Sequence, residues 1–211
     1  MLGAALGLGK LGLLMRLRRL QAGVTMIEVM ITITVAAVLL AVGVPMMMAW
    51  LQNAQIRTMS ETMLSGLNLA RAEAIRRNGA VRFQLVNTLT SSCAISTSGT
   101  NWIVSMADPS GKCDIAPSET TPPQTLQAKA GTEGSQNVTV SADAGVITFN
   151  ALGRPSTLSA SLTTIDLRNP TFSACQDAAG SARCLRITVN NSGTTRLCDP
   201  KVTDATDPRK C

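Results

Sequence analysis

Gly23-Val24-Thr25-Met26-Ile27-Glu28 holds the residues best placed for chemistry in this chain. Arg16, Arg18 and Arg19 stand just ahead of it, and from Val29 to Ile56 no residue is charged. Basic residues before an apolar run keep that end cytoplasmic and send the C-terminal side across the membrane. The run is long enough to span a bilayer, since about 20 residues suffice. A secretory signal would place its cleavage site after the apolar region. Here the candidate site is Gly23–Val24, before it, so the hydrophobic helix stays with the product. Glu28 sits near the front of the apolar block, where a carboxylate costs about 2.5–3.5 kcal/mol and calls for a partner. The stretch describes a chain that is inserted, cut and then put to another use.

Cysteine supplies the other chemistry. Cys93, Cys113, Cys175, Cys184, Cys198 and Cys211 all lie beyond the apolar run. An even count on one side of an anchor reads as disulfides in an oxidising compartment. Six cysteines allow 15 pairings; the simplest is sequential, Cys93–Cys113, Cys175–Cys184 and Cys198–Cys211. There is no histidine and no CxxC pair, so a zinc site is not expected. Gly7-Leu8-Gly9-Lys10 lacks the glycine a phosphate loop needs at position 4, and Leu11 replaces its Ser or Thr. With no nucleophile-plus-base arrangement, no catalysis, metal or cofactor is expected.

Charge says little about partners. The net charge is +6, but Lys10, Arg16, Arg18 and Arg19 all precede Gly23. Losing those four of 19 basic residues, with all 13 acidic residues kept, leaves a product only two charges positive. That is weak attraction for nucleic acid. Met15 opens a short basic leader, so translation is expected to start there, with residues 1–14 outside the protein.

These residues must be positioned by a long helix and a β-rich domain. Past Trp50, Ile56, Met59, Met63, Leu67, Ala70 and Ala74 recur at steps of three or four, with Arg57, Glu61, Arg71, Glu73, Arg76 and Arg77 between them. Asn78-Gly79 is a helix stop. The spacing predicts one helix over 24–78, about 80 Å long at 1.5 Å per residue. Pro45 removes a backbone donor and is expected to kink or locally melt it. Strands are expected at 81–86, 102–106, 138–140, 145–149, 164–167, 184–189 and 194–197, the last two as a hairpin through Asn190-Asn191-Ser192-Gly193. Residues 108–136, rich in Pro, Ser, Thr, Gly and Gln, are expected to form an exposed loop.

Gly23 to Met30 resembles the processing motif of type IV pilins and type II secretion pseudopilins. In that family a prepilin peptidase cuts after the glycine and methylates the new amine. With Val24 first in the mature chain, Glu28 is fifth, where the family keeps its glutamate. Pro45 is twenty-second, where many pilins carry a helix-interrupting proline. Val24 departs from the usual phenylalanine. The resemblance also supplies Glu28 with its partner: the Val24 amine of a neighbouring subunit in the filament. Phe149-Asn150-Ala151-Leu152-Gly153 is similar to the Phe-x-x-x-Gly signature of the FimT, FimU and GspH type.

The resemblance implies an α+β, pilin-like fold, with a long N-terminal helix kinked near Pro45 on an antiparallel, disulfide-bearing β domain. The segments are a leader 1–23, a membrane or filament-core helix 24–50, its amphipathic half 51–79 and a periplasmic domain 80–211. The implied function is that of a minor pilin in type IV pilus assembly, anchored in the bacterial inner membrane. Its implied partners are other minor and major pilins or pseudopilins and the prepilin peptidase. The alternatives are a secretion-system pseudopilin, a DNA receptor for uptake and a plain signal-anchored domain. For DNA, FimT-like proteins use a Gly-Arg-x-Arg motif; here Gly193 and Arg196 match and Thr194 does not. Arg196, Lys201, Arg209 and Lys210 are the candidate DNA contacts, against a reading of the tail as a solvated, disulfide-stapled edge.

Overall fold

A computed structural model describes residues 23–133, 135–156, 162–170 and 183–211. Leader residues 1–22, Met15 among them, and Cys175 lie outside the described residues. One helix, α1, covers Met26–Arg77 and remains helical through Pro45. The local melting considered at Pro45 does not occur. The proline deletes one amide donor, the one that Ala41's carbonyl would accept, and one missing bond is not enough to break so long a helix. By internal contacts the chain divides into two compact units between Gly43 and Val44.

Within the second unit, α1 buries Ile56, Met59, Ser60, Met63, Gly66, Leu67, Ala70 and Ala74. The Ser60 hydroxyl donates to the Ile56 carbonyl at 2.7 Å, so this polar group enters the core satisfied. The helix ends at Asn78 (φ 51°). The Gly79 amide donates to the Ala74 carbonyl at 3.1 Å, and that of Asn78 to Ile75 at 3.2 Å. This is a Schellman cap with asparagine in the left-handed position usually given to glycine.

Eight strands follow among the described residues: β1 Val81–Val86, β2 Asn101–Ser105, β3 Thr125–Lys129, β4 Thr139–Ala142, β5 Val146–Phe149, β6 Leu162–Arg168, β7 Cys184–Asn190 and β8 Thr195–Cys198. They form two antiparallel sheets, ordered β3-β2-β1-β5 and β4-β6-β7-β8. Alternation sends Val81, Phe83 and Leu85 of β1, and Ile165 and Leu167 of β6, into one core with the helix. β3 corrects the expected 108–136 loop. Leu126 and Ala128 are its only apolar residues, so it carries no strand pattern of its own. It exists because the β2 edge offers unpaired backbone groups.

The loops before and after β2 cover the first sheet's outer face. Val86, Ile103, Cys93 and Cys113 form a second cluster there, with Leu89 and Ala128 against it. Cys93–Cys113 closes it, as the sequential pairing has it. Arg77 anchors the same cover. Its guanidinium pairs with Glu73 at 2.8 Å and reaches Glu119 at 2.6 Å. Hydrogen bonds from Arg76 and Arg77 hold the Glu73 carboxyl below its ordinary range.

Gly66 sets the closest approach of helix to sheet. A Cβ there would lie 2.7 Å from the Trp102 ring and 3.0 Å from that of Phe83. Those rings are buried and pack on each other, with centroids 5.6 Å apart. In an open helix Gly→Ala stabilises by about 0.8–1 kcal/mol, whereas overpacking a core costs about 1–3. Gly66→Ala is therefore expected to destabilise the domain by on the order of 1–2 kcal/mol in urea unfolding. An unfolding midpoint raised above wild type would contradict this packing.

Candidate functional site

At the N-terminus, Gly23, Val24 and Thr25 precede the helix in non-helical backbone. Nothing lies within 4 Å of where a Gly23 Cβ would sit, and Val24 is 70% exposed. An accessible, non-helical segment is what a peptidase needs in order to thread a substrate through its cleft. Thr25 then starts the helix. Its hydroxyl oxygen accepts the Glu28 amide at 3.3 Å, and its carbonyl accepts the Val29 amide at 3.2 Å. Thr25 is thus the N-cap and Glu28 the third helical residue, the spacing of a capping box. Thr25 escaped the sequence reading; the Thr-x-x-Glu spacing was the signal that could have found it.

From Gly23 to Met48 every residue is exposed in the isolated chain. Val24, Met26, Ile27, Met30, Ile31, Leu39 and Leu40 are apolar in all directions around the helix, with Glu28 the one ionisable side chain among them. Thr32 and Thr34 donate their hydroxyls to the carbonyls of Val29 and Ile31 at 2.9 and 2.8 Å. Their polarity is absorbed within the helix, which suits an apolar medium. This surface can be covered by lipid or by like helices.

The two glycine motifs come together elsewhere. Asn150-Ala151-Leu152-Gly153 and Asn190-Asn191-Ser192-Gly193 are the same turn built twice. In each, the asparagine Oδ1 accepts amides two and four residues on: Leu152 and Arg154 at 3.0 and 3.1 Å, Ser192 and Thr194 at 3.1 and 2.9 Å. In each, the glycine amide donates to the asparagine carbonyl, at 2.8 and 2.9 Å. Both glycines have positive φ, 69° and 78°. The turns stack directly: a Cβ on Gly193 would fall 1.9 Å from the Gly153 carbonyl oxygen and 3.3 Å from Arg71 Nε of α1. Thr195 adds a hydroxyl bond to Asn68 of α1 at 2.7 Å. Phe149, wholly buried, anchors the first turn in the core.

The C-terminal tail folds on itself. Cys198–Cys211 joins its ends, and the Asp199 amide donates to the Arg209 carbonyl at 2.7 Å. Arg196 Nη2 donates to the Pro208 carbonyl at 2.6 Å, and Lys210 Nζ to that of Thr203 at 3.3 Å. Arg209 pairs with Asp207, whose carboxyl its hydrogen bonds lower to about 2. Three of the four candidate DNA contacts thus hold the tail together. Only the Lys201 side chain has no partner among the described residues. Cys184, buried at the start of β7, is disulfide-bonded.

The comparisons agree with this anatomy. The family model described as Type II transport protein GspH matches residues 60–193. The Prokaryotic N-terminal methylation motif matches residues 18–44. A crystal structure of the type IV minor pilin FimU of Pseudomonas aeruginosa (strain PAO1) superposes at a TM-score of 0.50 and 15% identity, covering 74% of this chain and 97% of that one. A second crystal form gives 0.48 and 13%, covering 71% and 97%. None of the curated proteins matches the chain in sequence.

Proposed function

Because this chain belongs to the GspH family of type II transport proteins and carries the prokaryotic methylation motif, we propose that it is a minor pilin of a type IV pilus. The prepilin peptidase cuts between Gly23 and Val24 and methylates the Val24 amine. The product waits in the inner membrane, held by the apolar helix, with its disulfide-bonded domain in the periplasm. It then joins other minor and major pilins to prime or cap a filament.

One observation carries this reading. The Gly23–Val24 bond lies in exposed, non-helical backbone directly before a Thr25-capped helix whose first part, to Ile56, has Glu28 as its one charged residue. Mass spectrometry of the N-terminal peptide tests it. Cells with prepilin peptidase should yield a chain starting at methylated Val24, and cells without it an uncut one. An intact Gly23–Val24 bond in peptidase-positive cells would sink the proposal. The family model's own description favours a second reading, a pseudopilin of a type II secretion system. Deleting the gene separates the two, through loss of surface pili or loss of secreted proteins.

A further inference from the structure

We propose that a cleft between α1 and the start of β7 holds the phosphate of an anionic phospholipid in the periplasmic leaflet. This rests on the membrane anchoring proposed above. Trp50, Asn53, Ala54 and Arg57 fall at i, i+3, i+4 and i+7, on one face of α1. With Arg183 and Leu185 they line a cleft of about 420 Å³. Asn53 fixes its geometry: its Oδ1 accepts the Arg183 backbone amide at 2.9 Å, seating the start of β7 beside the helix.

The lining matches a phospholipid headgroup in both charge and polarity. Among the described residues, no acidic side chain borders this cleft. On their other side the same two arginines face a second cleft with Glu61, Asp199 and Arg209, where carboxylates would repel an anion. Arg183 has no side-chain partner among the described residues. Arg57 meets Glu61 at 2.8 Å, but these side chains are 73% and 55% exposed, a pairing that contributes little. Two planar guanidiniums suit phosphate oxygens, and Leu185 and the Trp50 ring supply apolar wall.

Position along the helix places the cleft at the right depth. Trp50 is 68% exposed and comes at the end of the apolar run, where tryptophans settle at the membrane interface. Arg57 is two turns further, about 10 Å on. That is just past the headgroup layer, a gap the length of an arginine side chain can bridge. An acidic partner protein would not require an exposed tryptophan at this level, which favours lipid.

The test uses the full processed chain in phosphatidylcholine vesicles containing brominated phosphatidylglycerol or brominated phosphatidylcholine, read by tryptophan fluorescence. Trp102 is buried and gives a constant background. Phosphatidylglycerol should quench Trp50 at about tenfold lower membrane fraction than phosphatidylcholine. Arg57→Gln with Arg183→Gln should abolish that preference, and the paired lysine substitutions should retain most of it, with unfolding midpoints confirming that each variant folds. Equal quenching by both lipids in a chain that resists carbonate extraction overturns the lipid site alone and leaves the cleft to an acidic protein surface. A chain that carbonate removes overturns the anchoring reading as well. Inorganic phosphate that cancels the preference would identify a soluble-anion site and overturn the lipid assignment.

Discussion

Glu28→Gln is expected to leave Gly23–Val24 cleavage intact and to lower recovery in sheared filaments by more than about a hundredfold. In the filament proposed above, Glu28 is to face the Val24 amine of a neighbour, as the pilin resemblance implies. Removing one member of such a pair strands the other charge away from water, at a cost of about 3–5 kcal/mol. Each 1.4 kcal/mol is a factor of ten. The capping role of Glu28 is too small to produce that loss, because a carboxylate in the first helical turn contributes about 0.3–1 kcal/mol. Insertion itself should improve in the variant, since a carboxylate is costly in lipid. The measurement is an immunoblot of sheared pili against membranes, with Glu28→Asp as the charge-preserving control. Wild-type recovery of Glu28→Gln in the sheared fraction would remove the ion pair from the account.

Gly193→Ala is expected to destabilise the domain by about 2–5 kcal/mol, a large share of the usual 5–15. Two costs add. The left-handed backbone at φ 78° costs an L-residue about 1–2 kcal/mol. The new methyl would sit 1.9 Å from the Gly153 carbonyl, a backbone atom fixed by its own turn, so the stacked turns must separate. Gly153→Ala supplies the contrast. Its φ of 69° carries the same backbone cost, but its methyl meets the Ile75 Cδ1 at 2.7 Å. Ile75 is half exposed and can swing away. Gly153→Ala should therefore lose only about 1–2 kcal/mol. Urea unfolding of both variants decides: equal losses would mean that turn stacking contributes nothing beyond the backbone term.

Much of the architecture was legible in one dimension because it follows from short-range rules. Met59, Met63, Leu67, Ala70 and Ala74 trace the buried face of α1. Val81 to Val86 and Cys184 to Asn190 appear as strands at the expected places. The Cys93–Cys113 and Cys198–Cys211 bridges close short loops, which is why sequential pairing anticipated them. β3 did not announce itself, since an edge strand's bonds are supplied by its neighbour. Thr25 was overlooked beside the more conspicuous Glu28, although its spacing was plain.

The apolar run with Glu28 at its front, the helix face and the strand alternation were thus set by the sequence alone. Each depends on residues within a few positions of one another, where backbone geometry dictates which side chains meet. Only the tertiary structure revealed that Gly153 and Gly193, forty positions apart, touch through identical asparagine-closed turns. It alone showed Arg196 and Arg209 spent on the tail's own carbonyl and carboxylate, and brought Arg183 beside Trp50 and Arg57. Those contacts join segments far apart in the chain. Nothing in local propensity encodes them, because they exist only once the two sheets and the helix share a core.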